Sequence, residues 1–146
     1  MRDKVEILVE TRNRLANPDA WVKGVFAIDK DGIATEFDGD QACSWCLSGA
    51  IFRECGFTNV DEGIVPKGIP NEFDWRYHEA HEEQDDIFLY IAEAILEKYP
   101  DFPKPDHFYY YFELLTEFND SDSISHPDVI AVLDDAIERA KGECND

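Results

Sequence analysis

The apolar residues between positions 40 and 55, in DQACSWCLSGAIFREC, do not line one stripe. Ala42, Cys43, Trp45, Cys46, Leu47, Ala50, Ile51, Phe52 and Cys55 surround the helical wheel, which predicts a helix buried on all sides. Asp40 stands at its N-cap position, and Gly56 where a left-handed residue would close it. Gly49 costs roughly 1 kcal/mol of helix propensity against Ala, which predicts that another backbone approaches it closely. The other elements are expected to pack around this central helix.

Upstream, residues 3–16 predict a first helix, with Val5, Leu8, Val9, Arg12 and Leu15 at i, i+3, i+4 spacing and a stop at Asn17-Pro18. Val25–Ile28 and Ile33–Thr35 flank Asp29-Lys30-Asp31-Gly32, the pattern of a small β hairpin. Residues 56–83 are broken by Gly56, Gly63, Pro66, Gly68 and Pro70 and read as an irregular acidic insertion, pinned by Phe57, Phe73, Trp75 and Tyr77. A helix is predicted from about 85 to 99, with Ile87, Ile91, Ala94, Ile95 and Tyr99 inward and Pro100 beyond it. PDFPKP reads as a stiff link. Residues 107–118 predict a further helix with Phe108, Phe112, Leu115 and Phe118 inward, although a run of aromatics also suits a strand. Ser125 and Asp128 form a capping pair for a last helix carrying Val129, Val132, Leu133, Ala136, Ile137 and Ala140, with Gly142 expected to end it. The fold class is mainly α: one domain over residues 1–146, about five helices around a buried central one, with a small hairpin.

A chain of 146 residues is long enough for a single core, and 44% hydrophobic residues exclude general disorder. No apolar run reaches the roughly 20 residues of a membrane span, and the N-terminus lacks a signal-peptide core. The expected location is the cytoplasm. Charge changes the picture more. Asp and Glu total 33 against 13 Lys and Arg, a net charge of −20, and residues 41–146 carry −17 of it. Such a surface repels nucleic acid and membranes and attracts basic partners, although solubility alone also explains it.

Candidate chemistry is sparse. Cys43-Ser44-Trp45-Cys46 has C-x-x-C spacing, but no second pair completes a zinc site and no βαβ pattern supports a redox fold, so buried thiols are the plain reading. His78 and His81 are three apart, not the four of a metalloprotease helix, and a solvated charged face accounts for them. Cys43, Cys46, His78 and His81 are the candidate ligands of an alternative metal-binding or thiol-dependent reading; the expectation is no metal and no cofactor. No phosphate loop and no nucleophile elbow occurs.

Several of these residues also carry a family resemblance. Trp21-Val22-Lys23-Gly24, the Asp29–Gly32 turn, Trp45-Cys46-x-x-Gly49-Ala50, Phe118-Asn119-Asp120 and the capped final helix at Ser125–Val129 follow one another in order. This order resembles an uncharacterised family of small bacterial and phage proteins, with W-x-x-G, W-C-x-x-G-A and [WF]-N-D motifs. Phe118 stands where Trp is more usual, and residues 56–83 are longer and more acidic than the pattern. The resemblance implies a mostly helical domain of unknown function and supplies no catalytic residues. Bottom-up, Trp21 and Trp45 read as core anchors and Asn119-Asp120 as an Asx-type turn.

The expected function is therefore non-enzymatic: an acidic interaction protein, in its most concrete form a phage-derived or mobile-element inhibitor that imitates DNA and occupies a basic nucleic-acid-binding groove. Glu79, Glu82, Glu83, Asp85 and Asp86 are its expected contact residues. A basic protein is the expected partner, with no direct binding to nucleic acid or membrane. A housekeeping protein whose acidity serves only solubility is the bland alternative.

Overall fold

Helix α1 (Lys4–Arg14) starts at Asp3, whose carboxylate accepts from the Glu6 N–H, and presents Ile7, Leu8 and Thr11 to the core. Thr11 is tolerated there because its hydroxyl donates to the Ile7 carbonyl at 2.8 Å. The computed structural model describes residues 3–60, 63–102 and 110–144, the side chains of Tyr110 and Cys144 excepted. After a 3-10 turn at Pro18–Ala20, β1 (Ala27–Ile28) pairs antiparallel with β2 (Ser44–Trp45). Helix α2 (Leu47–Glu54) follows directly, then β3 (Phe57–Val60) and β4 (Gly63–Pro66), a second antiparallel pair. Three longer helices complete the order: α3 (Trp75–Lys98), α4 (Tyr110–Asp120) and α5 (His126–Cys144). Five helices and two small antiparallel sheets make the described residues mainly α.

Helix α2 is the buried centre, since every residue from Leu47 to Glu54 except Arg53 is buried. It is shorter than its apolar pattern suggested. Residues 42–46 are extended because their backbone is already used: Cys43 N–H donates to Ile28 and Cys46 N–H to the Phe26 carbonyl. An apolar run buried on both faces cannot be told from helix by periodicity. Cys46, not Asp40, is the N-cap, its sulfur accepting from Gly49 N–H at 3.3 Å. Gly56 does close the helix in the left-handed region, at φ +81°.

The Asp29–Gly32 turn forms, with Asp29 accepting from Asp31 and Ile33 N–H. Its second arm makes only a single bridge, Ile28 to Ala34, because the β1 ladder goes to β2. Strands β3 and β4 pair where irregular chain was expected, and α3 begins ten residues early. Asp74 caps α3, and its first turns are held by Tyr77, His81 and Gln84, a stripe written in polar letters that continues into Ile87, Phe88 and Ile91. Phe57 on β3 packs against His81, with ring centroids 5.1 Å apart. Helix α4 buries Leu115 and Phe118 as expected; Phe108, most of the PDFPKP link and the Cys144 thiol lie outside the described residues. In α5, Asp128 accepts from the Ser125 N–H and hydroxyl, the expected cap, but the helix runs through Gly142 to Cys144.

Trp45 is packed as an anchor. Its indole N–H donates to Phe37 O, and the guanidinium groups of Arg14 and Arg53 lie 4.7 and 5.3 Å from its ring centroid. Arg14 also pairs with the buried carboxylate of Glu54 at 2.6 Å, so the charge that α2 carries inward is compensated. Phe52 then joins Phe26, Phe37, Phe57, Phe88 and Phe112 in one aromatic cluster.

Gly49 confirms a close backbone approach. A Cβ there would lie 2.2 Å from the Phe26 carbonyl oxygen. Gly49→Ala should therefore destabilise by about 2 kcal/mol or more through overpacking. Gly142→Ala, which meets nothing within 4 Å in helical backbone, should stabilise slightly, by up to about 0.5 kcal/mol. Chemical denaturation of both variants checks the pair; equal effects would place the segment at Phe26 away from α2.

Candidate functional site

Asn119 is the point where three distant segments meet. It is 1% exposed, in the last turn of α4. Its Oδ1 accepts from Trp21 Nε1 at 2.6 Å and from Leu47 N at 3.0 Å. Its Nδ2 donates to the Val22 carbonyl and to Asp120 Oδ1. All the ordinary capacity of a buried amide is thereby used. The Asn119-Asp120 pair is thus a long-range clasp and not an Asx turn. Asp120 Oδ1 also accepts from Gly24 N–H at 2.9 Å, and Gly24 holds φ +85°, a conformation that glycine adopts readily. Trp21, half-buried, is fixed by this clasp more than by burial.

The clasp forms one wall of a cavity of about 370 Å³. Phe26, Ala27, Ala34 and Phe112 give it an apolar body; Thr35, Thr116, Cys46 and Asp120 add polar atoms. Cys46 sits at a helix N-terminus, a position that favours thiolate, yet burial pushes its thiol up to about 11 and the nearby Asp120 charge pushes the same way. The thiol is protonated at neutral pH.

The sequence candidates fall into separate surroundings. Cys43 is exposed and Cys46 buried, three residues apart on extended chain, so the C-x-x-C does not lie on one helix face. His78 and His81 come together on α3. His81 packs between Tyr77 and Phe57, its Nε2 is buried without a partner among the described residues, and desolvation followed by the His78 charge lowers its pKa. Among the described residues no group of three or more His, Cys, Asp or Glu is placed to hold a metal. Glu79, Glu82, Glu83 and Asp86 share a stripe of α3 by their i, i+3, i+4, i+7 spacing. Asp86 is paired with Lys4 at 2.6 Å. Asp85 lies on the flank, its carboxyl raised first by lost hydration and then by Asp86 and Glu82.

The residues missed by sequence reasoning are Phe73 and Trp75. Both were expected to pin residues 56–83 inward, but only Phe57 is buried and Tyr77 half-buried. Phe73 is 88% exposed and Trp75 71% exposed. Trp75 borders a second groove of about 370 Å³, which Pro66, Ile69, Lys67, Glu79 and Glu83 also line. Beside it, Arg76 holds Asp74 in a two-point ion pair that lowers the carboxyl to about 2. The only sequence signal was the absence of any apolar partner three or four residues before Trp75.

Comparison with known families gives one result. The description "Family of unknown function (DUF6197)" matches residues 1–139, and the chain belongs to that family. Comparisons with curated proteins and with solved structures give no match.

Removing the clasp should be costly. Asn119→Ala strands the Trp21 indole N–H and the buried Leu47 N–H, so a loss of about 3 kcal/mol is expected in denaturant melts; a loss under about 1 kcal/mol would mean that the two donors find other partners. The Cys46 thiol sets a pH dependence. Its folded pKa is raised from 9.0 to about 11, so its contribution is complete below pH 9 and is lost as pH rises toward 11. Cys46→Ser retains an oxygen cap and does not titrate there. Wild type should lose on the order of 2 kcal/mol more than this variant between those two pH values. Parallel stability curves would contradict the raised pKa.

Proposed function

We propose that the protein is a non-enzymatic acidic interaction protein that docks a basic protein partner on the first turns of α3. The observation that carries this reading is exposed Trp75 at a groove that Glu79 and Glu83 also line, with exposed Phe73 two residues before it in the chain and Glu82 on the same helix. Exposed aromatic residues next to a groove are the usual anchors of an interface, and the surrounding charge steers the encounter.

The rest of the surface supports the charge preference. Most described cations are engaged within the chain: Lys4 with Asp86, Arg12 with Asp134, Arg14 with Glu54, Lys67 with Asp38, and Arg139 with Glu93, Glu97 and Asp135. Lys23 and Arg53 donate to backbone carbonyls. The surplus presented outward is acidic, with a net charge of −20. No helix of the described residues is long and apolar enough to cross a membrane. An inhibitor that occupies a nucleic-acid-binding groove is the most specific form of the proposal. Glu79, Glu82 and Asp85 would then stand in for phosphates, and Trp75 would supply apolar contact that a phosphate row lacks.

The test begins with partners recovered from host lysate at low salt, identified and then purified. Binding should weaken steeply as salt rises, because the screening length falls from about 10 Å at 0.1 M to about 3 Å at 1 M. Trp75→Ala should cost about tenfold in affinity or more, with little effect on stability. Glu79→Lys combined with Glu82→Lys should slow association and flatten the salt dependence. For the inhibitor form, added nucleic acid should compete for the partner. A partner bound equally well by wild type and both variants would move the interface elsewhere. No specific basic partner would leave the acidity to solubility.

A further inference from the structure

The cavity beside the Asn119 clasp is separate from the α3 groove, and the reading above does not use it. We propose that it binds a small organic cation, an apolar body carrying a primary ammonium group that pairs with Asp120.

Four observations lead there. The space is about 370 Å³, within the range of small-molecule sites, and Phe26, Ala27, Ala34 and Phe112 supply a mostly apolar lining. Among the described residues no Lys, Arg or His lines it, so no cationic side chain there is placed to pair with an anion. Asp120 brings the single carboxylate of the described lining residues. Its Oδ1 is occupied by Gly24 N–H and the Asn119 amide, while its Oδ2 has no hydrogen-bond partner among the described residues. The carboxylate is therefore oriented by two donors and still has an acceptor to offer. The Thr116 hydroxyl donates to the Phe112 carbonyl at 2.9 Å, which turns its oxygen lone pairs to other donors.

Neighbouring charges agree. Lys23 directs its ammonium to the carbonyls of Ser121 and Ile124 at 2.6 and 2.8 Å and not to the Asp120 carboxylate. The net negative field of the protein raises the local concentration of small cations. A purely apolar occupant would fill the body of the cavity and leave the oriented carboxylate unused. An anionic one would meet the Asp120 carboxylate with no Lys, Arg or His among the described lining residues. Phe26 and Phe112, 6.1 Å apart between centroids, present ring surface to the ligand body and to a cationic head alike.

The experiment uses three probes of one shape: phenylbutylamine, phenylbutanol and phenylbutyrate. Each is titrated into the full chain at physiological ionic strength, with ligand-observed NMR as readout. Wild type should bind the amine at least about tenfold more tightly than the alcohol, and the butyrate weakest of all. Asp120→Asn keeps an oxygen for Gly24 N–H but removes the charge. It should bring the amine down to the affinity of the alcohol, which itself stays unchanged. Ala34→Phe, at an exposed lining position, should fill the cavity and abolish binding of all three while the helical content and melting temperature are retained. The proposal is overturned if wild type binds none of the probes, or if it binds the amine no better than the alcohol. It is equally overturned if Asp120→Asn keeps the preference for the amine, or if Ala34→Phe binds as wild type does.

Discussion

The arrangement of this chain depends on a buried amide. Asn119 has no charge to desolvate, yet it offers acceptor and donor together, and the structure uses both ends. Its oxygen fixes the Trp21 indole and the first N–H of α2; its nitrogen fixes the Val22 carbonyl and the Asp120 carboxylate. Asp in its place would lose the two donated bonds and set two carboxylates side by side. Leu would leave Leu47 N–H buried and unpaired, which costs more than a hydrogen bond gains. Segments nearly a hundred residues apart in sequence are thereby tied at one point. The loop from Trp21 to Phe26 can then lie on α2 only because Gly49 has no side chain.

That geometry also shows what was legible in the sequence. The close approach at Gly49, the closing turn at Gly56, the Ser125–Asp128 cap and the burial of α2 could be read locally, because each follows from one residue's conformational or capping preference. The start of α2 could not. Residues 42–46 are as apolar as the helix that follows, and only their pairing with Phe26 and Ile28 decides that they are extended. The early start of α3 was hidden for a different reason. The inward stripe there is made of Tyr77, His81 and Gln84, which a hydrophobic pattern does not count, although each can bury carbon surface against Phe57 and its neighbours.

The candidate site was legible only in part. The letters of the clasp were visible as motifs, but their convergence was not, since a hydrogen bond between Trp21 and Asn119 leaves no local trace. The carboxylates of α3 were visible as a run. Their division into a paired Asp86, a crowded Asp85 and the outward Glu79 and Glu82 depends on where α1 passes. Exposed Phe73 and Trp75 were the least legible of all, because aromatic residues in a folded chain are expected inside.

The cysteine at α2's start shows how two environmental effects compete and what the outcome means for chemistry. A helix N-terminus stabilises a thiolate through its oriented N–H groups, and Gly49 N–H does point at the sulfur. Against this, Cys46 is buried in the cavity wall, and Asp120 places negative charge nearby. Desolvation is the largest influence and the thiol ends near 11. At neutral pH only about one molecule in ten thousand then carries the thiolate. A nucleophile needs the opposite balance: an accessible sulfur, a base or a cation beside it, and no carboxylate. Cys46 is thus suited to cap a helix and line an apolar wall.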